Sequence, residues 1–390
     1  MPRTATGSAQ SPTPGQLPPP GKNGFRADAR HFWERVTDGL ELAQLWAQFR
    51  ADAASSYRLY SFDLAPAQGR SRFRRFLNTA KAFFWAVMIK LSPARRVILL
   101  ASLVLLLIPI FSDNQGSVPN LHFYAGLSLL LLLLLEIADR VTMKRDLEIA
   151  REIQLWLVPE NPPQVPGLDM AFLNRPANTV AGDYYDVFHR TIQEGDNTRS
   201  TLFLAVADVA GKSLPAALLM ATFQASLNTL SASSVPLLEL VAGLNRYACA
   251  HSRNGARFTT AFLAECDPES RQLTYVNAGH NTPVLRRASG AIERLDRGGL
   301  PFGIMGDATY DSGTVALQKG DLVLIFTDGL VEAVNERDEE FGETRTLASM
   351  EAHLNAPAKD MLRAMMSDVN IFVGMTHQHD DITCLLLRSV

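Results

Sequence analysis

Two apolar stretches follow one another within the first half of the chain, and they constrain its fold more than any other feature. Residues 97–111 carry no charge, and residues 121–138 include a run of seven leucines. A buried core hairpin is the alternative, because a membrane helix needs about 20 apolar residues. The tandem arrangement favours two spans, the first extended by Leu91 or Ala94 with its arginines snorkelling. The sequence therefore predicts a transmembrane hairpin over 94–140.

Basic residues flank the hairpin, whereas its nine-residue connection contains neither Lys nor Arg. The flanking residues are Arg95 and Arg96 before the first stretch, and Arg140, Lys144 and Arg145 after the second. Positive charge favours the cytoplasmic side of a membrane. We therefore expect a multi-pass protein of the cell (inner) membrane with both termini in the cytoplasm.

The segments before the hairpin give little sign of a packed core. Residues 1–24 are rich in Pro, Gly and Ser, which predicts a disordered tail. Residues 25–93 are interpreted as a cytoplasmic helical and juxtamembrane region. Their last part, with residues 70–96 holding eight Lys or Arg and no acid, favours an interfacial helix, with nucleic-acid binding as the alternative for this stretch. The net charge of -3 gives no reason to expect nucleic acid as a partner.

A helix of good helix formers follows the second apolar stretch. It is predicted over Val141 to Val158 and ends at the prolines of a linker region, 141–163. Its apolar residues recur at helical spacing at Ile149, Ile153, Trp156 and Leu157. This stripe is interpreted as the contact of a homodimer, although the segment is too short to establish a coiled coil.

Residues 164–390 have the texture of a soluble α/β domain. Apolar strand-like runs are followed by turn residues, and helical patterns separate most of them. The predicted strands are 201–208, 259–266, 272–279, 321–328 and 381–388. Helices are predicted from Ser213, as an N-cap, to Leu227, from Leu237 to about Ala250, and within 345–372.

Aspartates stand where these strands meet loops. Asp208 ends one very apolar strand, Asp328 ends another, and Asp380 and Asp381 precede the last. Asp183 follows the small pair Ala181-Gly182 in "NTVAGDYYDVF". Each could cap a turn or a helix. A carboxylate at the end of a core strand is costly without a partner, and Mg²⁺ or Mn²⁺ is the alternative partner.

Seven motifs in order resemble one family. They are "AREIQLWLVPENPPQVPG", "PANTVAGDYYDVF", "ADVAGKSLPAALLMA", "FTTAFLAECDPESRQLTYVNAGHNTPVL", "GGLPFGI", "FTDGLVEAVNERDEEFG" and "HDDITCLLL". Together they resemble the bacterial PPM-type, metal-dependent serine/threonine phosphatases, in the branch of sporulation protein E and the sigma-factor-regulating phosphatases. The resemblance covers about 150 to 388 and leaves residues 1–140 without a match.

The resemblance implies an α/β fold of the αββα sandwich type, following the transmembrane hairpin, with two Mn²⁺ or Mg²⁺ ions at one edge. Asp208 then bridges the two metals and Val209 offers its carbonyl. Asp328 and Asp380 are further ligands of the first metal, and Asp183 serves the second. Asp186 is assigned a structural role.

The chemistry implied is hydrolysis by a metal-activated water, for which Asp208 and Asp328 are the catalytic ligands. No Ser or Cys nucleophile is needed. Arg175 and Lys212 are candidate phosphate-binding residues. His280, His377 and His379 are not assigned as ligands, because sites built from Asp oxygens seldom recruit histidine.

Two positions depart from the family pattern. Ala181 replaces the first glycine of the pair before Asp183, and Ser213 stands where a second glycine is frequent after "DVAGK". Both residues are small and leave every carboxylate in place.

Two other classes of function compete with a phosphatase. A pseudophosphatase scaffold that binds a signalling partner at the membrane would keep the fold without catalysis. A metal-dependent nuclease would need a basic face, which residues 167–390 do not clearly have. The family implies that the substrate is a phosphorylated regulatory protein, such as an anti-sigma-factor antagonist.

Overall fold

The computed structural model describes residues 91–111, 120–194, 197–252 and 257–390, together with 81, 84, 85 and 88. The predicted tail 1–24, nearly all of the region 25–93 and the connection 112–119 lie outside the described residues. The chain divides into two compact units, Met1–Leu135 and Glu136–Val390.

The first unit contains helix α1, Pro93–Phe111, and the beginning of helix α2, Leu121–Trp156. The Oγ atoms of Ser102 and Ser128 lie 2.6 Å apart, so the two helices are joined by a hydrogen bond between small polar residues. Most leucines of both helices face outward. Within the described residues one helix, α2, is long and apolar enough to cross a bilayer.

The described residues of the second unit form eleven strands in two sheets. Their bounds are β1 Leu168–Arg175, β2 Tyr184–Glu194, β3 Asn197–Val209, β4 Thr259–Cys266, β5 Gln272–Ala278, β6 Val284–Arg286, β7 Ile292–Arg294, β8 Gly298–Gly299, β9 Gly313–Ala316, β10 Leu322–Phe326 and β11 Ile382–Ser389. The first sheet has the order β1-β11-β10-β6-β7, and the second has the order β2-β3-β4-β5-β8 with β9 also paired to β5. The five strands predicted from the sequence are all present.

Helices cover the outer face of each sheet. They are α3 Ser213–Ser231, α4 Leu237–His251, a short α5 Asp328–Val331, α6 Gly342–Ala352 and α7 Ala358–Val373. One apolar core lies between the sheets, around Val206, Phe262 and Leu385. A second core packs α6 and α7 on the first sheet, and a third packs α3 and α4 on the other. The predicted αββα sandwich of the domain is confirmed.

The start of α3 differs from the prediction. Lys212, and not Ser213, is the N-cap residue, and no side chain caps the helix. Ser213 itself has a φ of 61°, in the left-handed region that favours glycine. The short polar side chain tolerates this conformation, which explains how serine can occupy a position where glycine is frequent in the family.

Candidate metal centre

Antiparallel pairing brings four strand ends to one edge of the sandwich. Tyr184 at the start of β2 lies opposite Ala207 near the end of β3. In the other sheet, Phe326 at the end of β10 lies opposite Cys384 near the start of β11. The aspartates that adjoin these four ends are therefore neighbours, although up to 198 positions separate them in sequence (Asp183 to Asp381).

Asp183 is the most deeply buried of these carboxylates, with 3% of its surface exposed. The Thr327 hydroxyl donates a hydrogen bond of 2.9 Å to its Oδ2. Thr327 in turn accepts a hydrogen bond from the backbone N–H of Thr383, so one threonine connects Asp183 to the first sheet. Burial, and then the charge of Asp208, raise the pKa of Asp183 well above its usual range.

Asp208 lies one residue from the end of β3, opposite Thr260 of β4. Burial raises its pKa to about 7, and the negative charges of Asp328 and Asp380 add to that effect. A hydrogen bond with the Asp183 carboxyl works in the opposite direction. Asp183 and Asp208 thus form a close acid pair, in which a proton on one carboxyl stabilises the charge of the other.

Asp328 begins α5 directly after β10. Its pKa is raised by burial and by the charge of Asp380. The next residue must be a glycine, because a Cβ on Gly329 would lie 2.1 Å from the carbonyl oxygen of Asp381. The Asp-Gly pair in "FTDGLVEAVNERDEEFG" therefore reflects a close approach between two backbone segments.

Asp380 forms an ion pair with a basic residue, Lys212. Lys212 Nζ lies 2.9 Å from its Oδ2, and the same ammonium donates to the His379 carbonyl oxygen. The Gln378 side chain donates to the Asp380 carbonyl oxygen and to that of Arg175, and accepts a hydrogen bond from the Arg175 guanidinium. These backbone and side-chain contacts therefore hold Asp380 and the residues just before it in position.

Sequence reasoning gave Asp381 no role beyond its place before the last strand. In the structure its two oxygens accept hydrogen bonds of 2.6 Å from the backbone N–H groups of Ala177 and Gly182. Burial nevertheless raises its pKa. Asp381 holds the loop that leads to Asp183, and the doubled aspartate before β11 was the signal that could have identified it.

Arg175 and Lys212, the two predicted phosphate-binding residues, line the same pocket of about 140 Å³. Asp380, Glu332 and His377 also line it. A pocket with two cationic groups beside the carboxylate cluster has the charge pattern needed to receive an anionic ester.

Asp186 and His280, neither of them a predicted metal ligand, bond to protein side chains. Asp186 accepts a hydrogen bond of 2.7 Å from the Tyr184 hydroxyl, which fits the predicted structural role. His280 is buried, its Nδ1 lies 3.1 Å from Thr260 Oγ1, and burial lowers its pKa to about 4. His280 is therefore neutral and contacts a neighbour of Asp208 on the adjacent strand.

The carboxylate set fits a divalent cation by its chemistry. Asp183, which is buried, and Asp208 and Asp328, which are half-buried, have pKa values raised first by desolvation and then by repulsion from one another or from Asp380. A hard cation with oxygen ligands would remove that repulsion. Within the described part of the chain, no three His, Cys, Asp or Glu side chains converge in a group that could hold an ion. The fit therefore rests on donor type, burial and charge.

Comparisons with known proteins agree with the fold and the strand-end motifs. Residues 198–390 match the family model described as Stage II sporulation protein E (SpoIIE). The phosphoserine phosphatase RsbU of Bacillus subtilis is 28% identical over 248 residues, which cover 63% of this chain and 70% of that protein.

Two further likenesses extend the comparison. Protein IcfG of Synechocystis is 25% identical over 299 residues, covering 70% of this chain but only 46% of the length of IcfG. The solved SiaA-PP2C domain of Pseudomonas aeruginosa has a TM-score of 0.55 at 22% identity, and the match covers 64% of this chain and 98% of that domain. The last likeness shows the fold.

Proposed function

We propose that this chain hydrolyses phosphoserine or phosphothreonine on a regulatory protein with two divalent metal ions. The premise is that its C-terminal domain is a phosphatase of the PPM type, in its SpoIIE branch. The observation that carries the proposal is the edge where Asp183, Asp208 and Asp328 stand at strand ends, each with a pKa raised by burial and then by the charge of a neighbouring aspartate. Such an acidic edge is unfavourable for folding alone and favourable for binding cations.

The ligand assignment follows the strand ends. Asp208 and the Val209 carbonyl, with Asp328 and Asp380, would hold the first ion, and Asp183 with Asp208 would hold the second. When bound, Mn²⁺ or Mg²⁺ lowers the pKa of a coordinated water and offsets charge on the phosphoryl oxygens. Arg175 and Lys212 would orient the phosphate in their shared pocket.

Two of the three cysteines support a mechanism without a thiol nucleophile. Burial raises the pKa of both Cys266 and Cys384 to about 12, so neither supplies a thiolate near neutral pH. Activity should therefore resist thiol alkylation.

The test uses the full chain in detergent, stripped of metal and assayed on a phosphoserine peptide and a simple aryl phosphate. Turnover should appear with Mn²⁺ or Mg²⁺ and vanish with a chelator. Asp208→Asn should abolish turnover and keep the thermal unfolding transition. Undiminished turnover in that variant contradicts the assignment, and a folded, metal-binding protein without turnover favours the scaffold alternative.

The substrate class is inferred from the relatives. RsbU is named a phosphoserine phosphatase, and the resemblance of the seven motifs implies the sigma-factor-regulating branch. We expect a small phosphorylated regulator, such as an anti-sigma-factor antagonist, as partner. Phosphoproteomic comparison of cells with wild-type chain and with Asp208→Asn should identify one or a few phosphoserine or phosphothreonine sites that accumulate in the variant.

Membrane attachment is the second part of the proposal. In helices α1 and α2 the leucines face outward, whereas Ser102 and Ser128 bond to one another between the helices. Small polar residues at such a contact are common between membrane helices. A reporter fused at Gly116 should behave as extracytoplasmic and one at Val390 as cytoplasmic. The opposite pattern, or a fully soluble chain, contradicts the two-span topology.

Dimerisation is the third part. Helix α2 continues from the apolar segment to Trp156 without a break, and it exposes Ile149, Ile153 and Trp156. An exposed apolar stripe on a long helix fits pairing with a second copy through the predicted helix Val141 to Val158. Changing Ile149 and Ile153 to Asp should weaken the dimer, as measured by light scattering in detergent, and alter the Mn²⁺ dependence. An unchanged dimer with unchanged activity contradicts this part.

A further inference from the structure

Gln154, in the last turn of α2, binds a distant loop with both ends of its side-chain amide. Its Nε2 donates a 2.7 Å hydrogen bond to the Ala181 carbonyl oxygen. Its Oε1 accepts a 2.9 Å hydrogen bond from the Ala181 N–H. An amide is the side chain that offers a donor and an acceptor together, so glutamine matches this backbone residue as a neighbouring strand would.

The loop that Gln154 holds leads directly to Asp183. Asp381 binds it from the other side, through the N–H groups of Ala177 and Gly182. At Gly182 an added Cβ would lie 3.2 Å from Ala216 Cβ and 3.3 Å from the Val209 carbonyl oxygen. The Ala181 N–H, the Ala181 carbonyl and the Gly182 N–H, which precede Asp183, thus bond to side chains and not to a neighbouring strand.

Gln154 differs from the residues beside it on the helix in how far its side chain is buried. Gln154 is half-buried, whereas Ile153, Leu155 and Trp156 are exposed. A helix that slides by one residue moves by about 1.5 Å along its axis, which is enough to break both hydrogen bonds.

We propose that Gln154 is a positioning residue for Asp183, through which the end of α2 sets the affinity of the metal centre. The proposal rests on the function proposed above, in which Asp183 is a metal ligand. Gln154 contacts neither metal nor substrate and acts through the Ala181 peptide. The positions of the helix and of the ligand loop are coupled at this one amide.

The experiment compares Gln154→Leu with the parent as full chains in detergent. Leucine has a similar size and removes both hydrogen bonds. We expect Mn²⁺ binding, measured by titration calorimetry, to weaken roughly 10-fold or more, as for partners that orient metal ligands. The Mn²⁺ concentration for half-maximal turnover should rise equally, whereas kcat at saturating Mn²⁺ should stay within about a factor of three.

Two further variants make the result specific. Glu152→Leu introduces the same side chain at an exposed position of the same helix and should leave Mn²⁺ affinity unchanged. Gln154→Glu keeps the acceptor for the Ala181 N–H but turns an acceptor toward the carbonyl. It should bind Mn²⁺ less tightly than the parent, and it carries the test if Gln154→Leu does not fold.

The outcomes separate this inference from the proposed function. If Asp208→Asn is inactive while Gln154→Leu and Gln154→Glu bind Mn²⁺ as the parent does, the positioning role is wrong and the phosphatase assignment stands. If Asp208→Asn retains full turnover, the metal centre itself is wrong. An equal loss of affinity in Glu152→Leu would also overturn the inference, since it would indicate a general effect of the helix surface.

Discussion

Strand β10 has an aspartate at each end, and the two are held in opposite ways. Asp321 precedes the strand and is 1% exposed. Its oxygens accept hydrogen bonds from the Arg287 guanidinium and from the backbone N–H groups of Ala288 and Gln318, at 2.7 to 2.9 Å. Burial opposes ionisation of Asp321, but these donors and the arginine charge lower its pKa.

Asp328, at the other end, lies among carboxylates. Burial and Asp380 raise its pKa, and Lys212 offsets only part of that repulsion. Thus an arginine offsets the charge of Asp321 at one end of β10, whereas Asp328 at the other end has acidic neighbours. A buried carboxylate whose charge its own donors and an arginine offset is part of the fold, whereas neighbouring carboxylates that repel one another favour a cation from solution.

The largest expected effect comes from changing Asp328, the proposed metal ligand that follows β10. Asp328→Asn preserves shape but removes a charge that a divalent ion needs. We expect turnover at saturating Mn²⁺ to fall by roughly 100-fold or more. The unfolding temperature of the metal-free protein should not decrease, because the variant relieves repulsion. Steady-state kinetics and calorimetry on the same preparation check the turnover and the unfolding temperature. Near-normal turnover would contradict the distinction between Asp328 and Asp321.

The opposite end should affect stability instead of chemistry. Asp321→Asn leaves Arg287 without its buried partner, which should lower the free energy of unfolding by about 2–4 kcal/mol. Arg287 also pairs with Glu293, which limits the loss. Below the melting transition, turnover and Mn²⁺ dependence should match the parent. A specific loss of metal affinity in this variant would contradict the assignment of Asp321 to the fold.

Asp208, on the acidic edge, and Asp321 should also differ in the sign of their pH dependence. The folded-state pKa of Asp208 is raised to about 7, so without metal its contribution to stability is complete below about pH 4 and is lost as pH rises to about 7. Asp321 has a lowered pKa, so its contribution is present above about pH 4 and is lost as pH falls further.

Unfolding in a chelator at pH 5 and pH 8 measures the first of these effects. Asp208→Asn should be more stable than the parent at pH 8, and by a smaller margin at pH 5. The difference should vanish when Mn²⁺ is added to the parent, because the ion removes the repulsion. Equal pH profiles of the parent and the variant would show that the cluster carries no excess charge.

The smallest expected effect concerns Lys212. Its ion pair with Asp380 is exposed on both sides, so removing it should change stability by about 1 kcal/mol or less. In the proposed phosphate pocket the same charge should matter more, and Lys212→Met should raise the KM for a phosphopeptide about 3- to 10-fold with little change in kcat. A change in kcat alone would place Lys212 in a different role.

Much of the fold followed from local patterns. The apolar runs predicted the five strands of the core because a strand buried on both faces needs apolar residues on each side. Helix α3 was expected from its residues, but its first turn was not, because the backbone conformation of Ser213 depends on the turn after β3.

The sequence by itself determined which carboxylates stand at strand ends, since that depends only on neighbouring residues. It could not distinguish Asp380, which faces Lys212, from Asp381, which binds the loop before Asp183. It gave no sign that Gln154 reaches Ala181, 27 positions away. These distinctions depend on contacts between segments far apart in the chain. Only the tertiary structure decides them, because burial and hydrogen-bond partners, which set each role, arise when the two sheets and the helix end come together.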